Sequence, residues 1–404
     1  MKYLVVLADG MADYPIESLG GKTPMEAAKK DLMNRLAQKS LVGTVSNVPE
    51  GMVPESDTAN LAVMSYDPKI YSKGRSPLEA VSMGLDMQEN ETAIRCNVVT
   101  LSDQGESCYA DRIMLDHSAD EITTEEADKL IATIEQELGN DMRHFYTGVS
   151  YRHCLLWKDA PAFTNFMRPH DIIGKRIGEY LPHGENSEEY LALTEKSFDI
   201  LKNHPVNLAR MERGLKPANS IWLWSPGKKP ALPSFTEKWG LRAAVISAVD
   251  LIKGIGICAG MTTIDVAGAT GNIHTNFKGK ADAAIQAFAD GYEYVYIHVE
   301  APDESGHRNE LDNKILSVEK INDLILAPTY EYLCSCGEPF KILVLPDHPT
   351  PLCLRTHSME PVPFMIYSSE KEENGVEIFT EQSAADKQFY IPHGQDLMNY
   401  FIEK

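Results

Sequence analysis

Basic charge is scarce in this chain of 404 residues: 38 Lys+Arg against 59 Asp+Glu leave a formal net charge of −21. Nucleic acid and anionic membranes both demand a basic face, so neither is expected as a partner, although a local cationic pocket for a small anion remains open. Cysteine is also sparse. Seven scattered residues, an odd number, make no disulfide framework, and Cys334-Ser-Cys336 lacks the Cys-x-x-Cys spacing of common zinc and redox motifs. No apolar run approaches the ~20 residues of a membrane span, and the N-terminus enters a core strand directly rather than a signal peptide, so a cytoplasmic location is expected. The glycine-rich Val266–Gly271 lacks the Gly-x-x-x-x-Gly-Lys-Ser/Thr of a phosphate-binding loop, which excludes a conventional nucleotide cradle. There is no internal repeat and no low-complexity segment.

What remains is an ordinary globular composition, 43% apolar and 24% charged, in a chain long enough for two domains. The rest is organised around Tyr294–His307. Its apolar β-branched and aromatic run reads as a buried strand that stops at Pro302, and Asp303 and His307, four residues apart, share one face if a helical turn follows. Two more strands end on a carboxylate. Lys2–Leu7 runs into Asp9, and Ile342–Leu345 runs into Asp347-His348. In a parallel α/β sheet the carboxyl ends of strands lie along one edge, where such sheets build their sites. His357, in the loop-like Arg355-Thr-His-Ser-Met-Glu-Pro361, could fold back to that edge. Asp9, Asp303, His307, Asp347, His348 and His357 are oxygen and nitrogen ligands without thiolate, suited to Mn²⁺, Mg²⁺ or Zn²⁺ and too many for one ion. A two-metal site is expected.

Along the chain, Pro24–Ser40 has helical periodicity, Leu41–Val48 reads as a strand, and Ser56 opens a helix over about Asp57–Tyr66. Ser56 has two readings, a helix N-cap or a nucleophile whose hydroxyl a neighbouring metal and the helix N-terminus would acidify. From Tyr71 to about Pro230 none of the proposed ligands occurs. Strands at Thr92–Leu101 and Ser150–Trp157 and acidic helices at Thr124–Leu138 and Glu188–His204 read as a second domain inserted into the first, with Pro226–Pro233 as the exit linker. Leu241–Ala248 is the next strand. Lys253, just beyond it, is either a solvated lysine or a point charge for a phosphate. A helix at about Lys280–Asp290 precedes the central strand.

With these residues in place the chain resembles the cofactor-independent phosphoglycerate mutases of the archaeal type, in the alkaline phosphatase superfamily. The resemblance spans nearly the whole chain. It is carried by Leu7-Ala-Asp-Gly10, Pro54-Glu-Ser-Asp-Thr-Ala59, Gly74-Arg-Ser-Pro-Leu-Glu-Ala80, Arg95-Cys-Asn97, Tyr151-Arg-His153, His204-Pro-Val-Asn207, Pro217-Ala-Asn219, Ala301-Pro-Asp-Glu-Ser-Gly-His307 and Pro346-Asp-His348. It implies an alkaline-phosphatase-like α/β fold, a mostly parallel sheet flanked by helices with a smaller inserted α+β domain. The metal-binding core would be residues 1–71 and 234–404, and the inserted substrate-binding domain residues 72–233. It further implies two divalent ions (Mn, Zn, Co or Mg), with Asp303, His307 and His357 on one and Asp9, Ser56, Asp347 and His348 on the other. Ser56 would be transiently phosphorylated, with no requirement for 2,3-bisphosphoglycerate. Lys253, Arg75, Arg152 and His153 fall near positions that contact the substrate, a small phosphorylated or hydroxylated acid.

The departures lie where substrate is chosen. The family's Asp-Arg-Arg-Ala-Gly-Arg-Ile segment corresponds here to Asp116-His-Ser-Ala-Asp-Glu-Ile122, without arginine, and a second family arginine is replaced within Ile221–Gly227. Arginine clamps carboxylate and phosphate in bidentate fashion, and His, Ser or Trp does not. A bacterial subgroup resembling these mutases has been proposed to act as homoserine kinases, and homoserine's ammonium could pair with Asp120 or Glu121. Phosphoglycerate mutase chemistry is the first expectation and homoserine phosphorylation the alternative. A metal-binding protein without turnover is the remaining class, and it is disfavoured because Ser56 supplies a nucleophile and the ligand set leaves positions open.

Overall fold

The computed structural model describes residues 1–402. By internal contacts these form two compact units, residues 1–72 together with the chain from Ala231 on, and Lys73–Pro230. Among the described residues the strands follow in chain order as β1 (Lys2–Ala8), β2 (Leu41–Val45), β3 (Glu91–Leu101), β4 (Met114–Asp116), β5 (Arg143–Val149), β6 (Arg152–Lys158), β7 (Ser220–Gly227), β8 (Ala243–Ile246), β9 (Thr262–Ile264), β10 (Tyr294–Val299), β11 (Phe340–Leu345), β12 (Val362–Ser368) and β13 (Tyr390–Ile391).

The first unit is an eight-stranded sheet in the order β13-β2-β12-β11-β1-β10-β8-β9. Only β12 runs against the rest. Strands β1, β10 and β11 are buried at every position, which is why they read as continuous apolar runs instead of alternating ones. Leu4, Val6, Val295, Ile297, Ile342 and Val344 meet Phe277, Ala284 and Phe288 of the Phe277–Ala289 helix in one core. Each large apolar side chain fully buried there contributes about 1.5–3 kcal/mol. The fold is thus α/β with a mostly parallel sheet flanked by helices. No helix among the described residues is long and apolar enough to cross a membrane.

The second unit is a five-stranded sheet, β4-β3-β6-β5 with β7 also paired to β3, all antiparallel. Two helices, Thr124–Leu138 and Glu188–Leu201, cover one face, burying Leu130, Ile131, Ile134, Tyr190 and Leu193 against Ile94, Cys96 and Val98. The first helix begins where its sequence says it should: the Thr123 hydroxyl accepts from the Glu126 N–H, and Gly139 follows its last turn.

Four local expectations are corrected. Pro24–Ser40 is not one helix but two, Pro24–Ala27 and Asp31–Ala37, broken at Ala28, where ψ is 140°. The break turns Lys30 inward, fully buried, and its ammonium donates to the carbonyl of Met25, a partner the buried charge requires. The Ser56 helix runs Ser56–Val63, with Glu55 at the N-cap and its end marked by Ser65 in the left-handed region (φ 73°). Ser56 therefore occupies the first helical position and is not the cap. Finally, Lys253 does not follow a strand end directly, because Asp250–Cys258 is a helix. At the other boundary, β7 reaches Gly227, so the segment expected as an exit linker begins inside a strand.

Candidate active site

The register of the sheet assembles the site. Ala8 pairs with Val299 and Leu7 with Leu345, so the carboxyl ends of β1, β10 and β11 are neighbours, and the Asp9 N–H donates to the Val299 carbonyl at 3.0 Å. Asp9 and Asp347 leave β1 and β11 at that edge. After β10 comes the Ala301–Arg308 helix, which puts Asp303 and His307 on one face with Oδ2 and Nε2 3.2 Å apart. The loop beyond β11 returns His357, whose Nε2 lies 3.3 Å from Asp303 Oδ1.

Backbone carbonyls fix both imidazoles. His307 Nδ1 lies 3.0 Å from the Arg355 carbonyl and His357 Nδ1 lies 2.5 Å from that of Pro54. A carbonyl only accepts, so each Nδ1 carries the hydrogen, and each Nε2 can present a lone pair. The two Nε2 atoms face each other at 2.9 Å beside the Asp303 carboxylate. Two lone pairs and a carboxylate converging on one point are a fit for a divalent cation. Protons compete for the same place: hydrogen bonding to Asp303 holds His307 up to about 9. Burial opposes the charge on His357, and Asp303 outweighs it, leaving His357 above its ordinary value. Asp303 itself lies well below the carboxylate range, because its bonds to His307 and His357 outweigh burial.

A second cluster adjoins the first. Ligand atoms of Asp9, Asp347 and His348 lie within 4.8 Å of one another, as do those of Asp303, His348 and His357, so His348 belongs geometrically to both groups. Ser56 Oγ is 3.3 Å from His348 Nε2. Burial, then the Asp347 and Asp303 carboxylates, push Asp9 well above the carboxylate range, and its Oδ1 is buried without a hydrogen-bond partner among the described residues. Buried acids gathered with so little compensating base fit a cation. Asp9, Glu300 and Asp303 form a third such grouping, and Glu300 was not singled out in the sequence although it lies in the central motif.

The supporting residues escaped the sequence reading altogether. Asn60, one turn into the Ser56 helix, donates to Asp347 Oδ2 at 2.8 Å and to the Ser56 carbonyl at 2.9 Å, and accepts from the Tyr296 hydroxyl at 2.6 Å. That network ties the helix carrying Ser56 to β10 and to the end of β11. His298 holds Asp9 from below, its Nε2 2.9 Å from Oδ2 and its Nδ1 3.1 Å from Ser247 Oγ. Burial, aided by Lys280, brings His298 down to about 3, so it donates as a neutral ring. Nothing in the alternation of an apolar strand marks such a residue.

The substrate-binding candidates are placed differently. Lys253 pairs with Asp265 at 2.7 Å and Asp250 at 3.9 Å instead of joining the ligand cluster. Arg75, Arg152 and His153 belong to the second unit. Consecutive residues of β6 alternate faces: Arg152 is exposed, with its guanidinium 5.7 Å from the Tyr151 ring centre, whereas His153 is buried. The His153 Nδ1 accepts from the Gly148 N–H at 3.1 Å, and Asp128 of the Thr124–Leu138 helix is the charge it senses. Burial brings His153 down to about 3. Because that value lies below the ordinary one for histidine, its contribution is present above about pH 6.5 and is lost as pH falls toward 3, by a few kcal/mol in all. Thermal unfolding should therefore show His153→Leu losing less stability than the parent between pH 7 and pH 4. An unchanged acid response would mean that His153 is not held neutral in the core. Asp120, considered above as a partner for an ammonium group, is already paired with Lys216 at 2.9 Å.

The chain thus combines a mostly parallel α/β sheet with a carboxylate–imidazole cluster beside a helix-borne serine. Residues 37–207 match the family described as 2,3-bisphosphoglycerate-independent phosphoglycerate mutase. The chain is 45% identical, over 100% of both chains, to the protein of that name from Methanosarcina barkeri, and 45% identical over the same span to a probable one from Geobacter sulfurreducens. Among solved structures it is similar to a Pyrococcus horikoshii protein (TM-score 0.82, 26% identity, covering 100% of this chain and 96% of that one). It also shares its fold with the cofactor-independent phosphoglycerate mutase of Thermoplasma acidophilum (TM-score 0.67, 24% identity, covering 100% and 99%). The chain belongs to the 2,3-bisphosphoglycerate-independent phosphoglycerate mutase family.

Proposed function

We propose that the protein interconverts 2- and 3-phosphoglycerate through a phosphoserine at Ser56, in a site built for two divalent cations. The observation that carries the proposal is Ser56 Oγ 3.3 Å from His348 Nε2, at the N-terminus of a helix and inside the ligand cluster. Asp303, His307 and His357 would hold one cation, and Asp9, Asp347 and His348 with Ser56 the other. Divalent cations there (Mn, Zn, Co or Mg) supply the charge that acidifies the serine hydroxyl and neutralises phosphoryl oxygens. Ser56 Oγ, having lost its proton, attacks phosphorus in line; the Oγ–P bond forms as the ester O–P bond breaks, and the departing glycerate oxygen takes a proton. The other glycerate hydroxyl then attacks phosphoserine in the reverse sense and restores Ser56. Transfer through the protein's own serine needs no 2,3-bisphosphoglycerate. The helix N-terminus favours the anion that develops at Oγ and the phosphoryl group that follows. Arg75 and Arg152 are the guanidinium groups we assign to the acid end of the substrate, and Lys253 is a point charge that must leave Asp265 to serve a phosphate.

One observation favours a second reading: residues 116–122 hold no arginine. A zwitterionic acceptor such as homoserine needs fewer guanidinium groups. Purified protein assayed side by side with 3-phosphoglycerate, and with homoserine plus phosphoryl donors including ATP, decides between them. The expected result is rapid 2-phosphoglycerate formation and no O-phosphohomoserine, and the converse would replace the mutase reading with a kinase one.

A further inference from the structure

Thr350 lies three residues beyond Asp347, is wholly buried, and is accounted for by no role so far. Its hydroxyl donates to Asp303 Oδ1 at 2.5 Å and lies 3.3 Å from His348 Nδ1. A hydroxyl has one hydrogen. With that hydrogen committed to Asp303, the oxygen accepts from His348 Nδ1–H, which turns the Nε2 lone pair of His348 toward Ser56. One side chain thus touches a ligand of each proposed cation.

The surroundings are shaped for this residue. Gly10, at φ +62°, lies so close that a β-carbon there would stand 2.5 Å from Thr350 Oγ1 and 2.7 Å from Asp303 Oδ1. A β-carbon at Gly306 would stand 2.5 Å from the Thr350 carbonyl oxygen and 2.8 Å from its Cγ2. Both glycines sit beside metal-ligand candidates, Asp9 and His307, and their missing side chains open the slot that Thr350 fills. From the far side Lys314, fully buried, donates from Nζ to the Thr350 carbonyl at 2.7 Å and to Asp13 Oδ2 at 2.7 Å. Asp13 in turn accepts from the Leu352 N–H at 3.1 Å. The segment after β11 is therefore clamped by an ion pair that belongs to neither ligand group.

We propose that Thr350 is a positioning residue that couples the two cation subsites, its hydroxyl orienting Asp303 in one and His348 in the other at the same time. The inference rests on the two-cation reading. Partners of metal ligands typically change affinity by about 10- to 100-fold when removed, and a group shared by two subsites should change both and the coupling between them.

The test is calorimetric titration of the chelator-stripped full-length protein with Mn²⁺, which reads affinity without reference to turnover. Thr350→Val keeps the shape and the backbone carbonyl that Lys314 holds while deleting the hydroxyl. Both dissociation constants should rise by about tenfold or more, and the coupling seen in the parent should vanish. Thr350→Ser, which keeps the hydroxyl, should titrate like the parent. Parent-like binding by Thr350→Val, weakening of one ion alone, or an equal loss in Thr350→Ser would each overturn the inference. If Thr350→Val is not recovered folded, Thr350→Ala removes the same hydroxyl without adding volume and is judged by the same outcomes. A parent protein that takes up fewer than two ions would instead bring down the two-cation reading, and the inference with it.

Discussion

Ser56→Ala is expected to lower phosphoryl transfer on the order of 10⁴-fold or more while leaving the protein folded. On the proposed mechanism the loss is this large because the Ser56 oxygen is the atom that would become bonded to phosphorus. The fold should survive because Ser56 stands at the first helical position and contributes no capping bond. Alanine is a better helix former, so the change in stability should stay within about 0.5 kcal/mol. Rapid quenching with radiolabelled 3-phosphoglycerate should trap an acid-denatured phosphoprotein from the parent and none from the variant. An alanine variant that still turned over at a comparable rate would reduce Ser56 to a helix-terminal residue and end the covalent mechanism.

Chelation should be as damaging and, unlike the substitution, reversible. Stripping with excess EDTA is expected to abolish transfer, and Mn²⁺, Co²⁺ or Zn²⁺ should restore it. A pH signature follows from the ligands. His307 is held up to about 9 and Asp9 well above the usual carboxylate range, so in metal-free protein both keep protons that a cation must displace. Loading should release protons, and apparent affinity should weaken as pH falls below about 9. The sign for stability is the opposite in the stripped protein. A carboxyl raised by burial and by Asp347 stabilises at low pH and loses that contribution as pH rises past its ordinary range, so the benefit of adding metal should grow with pH. At a free-ion concentration a hundred times the dissociation constant, one site adds about 2.7 kcal/mol, visible as a higher unfolding midpoint. Full activity from protein shown by elemental analysis to carry no divalent ion would exclude the cation site.

Much of the cluster was legible because its candidate ligands come from strand ends. A buried parallel strand announces itself as an apolar run, and Asp9, Asp303 and Asp347 each follow one within a few residues. The four-residue spacing of Asp303 and His307 needed only a helical turn, and the Ala301–Arg308 helix provides it. What could not be read is whatever depends on a distant partner. Asn60 within an apolar helix and His298 within an apolar strand look like blemishes in a hydrophobic pattern until Asp347 and Asp9 are seen against them, 287 and 289 residues away. Local misreadings have similar causes. Gly254 and Gly256 hide the Asp250–Cys258 helix from a reading based on propensity. The apparent single helix over residues 24–40 is broken at Ala28, and the break buries Lys30, which nothing in the local pattern marks as interior.

The position of β1 at the middle of its sheet has a consequence for how the chain is made. Both of its neighbours arrive late: β10 begins at Tyr294 and β11 at Phe340. At about 5–20 residues per second on the ribosome, β1 waits roughly 15–60 s for its first partner. Lys73–Pro230, by contrast, contains every strand of its own sheet. Synthesis thus passes through a long interval in which every strand of the second sheet is present while β1, buried along its whole length in the finished sheet, has no ladder on either side. A chain ended before Leu345 lacks Asp347, His348 and His357, so the candidate ligand groups that contain them cannot assemble.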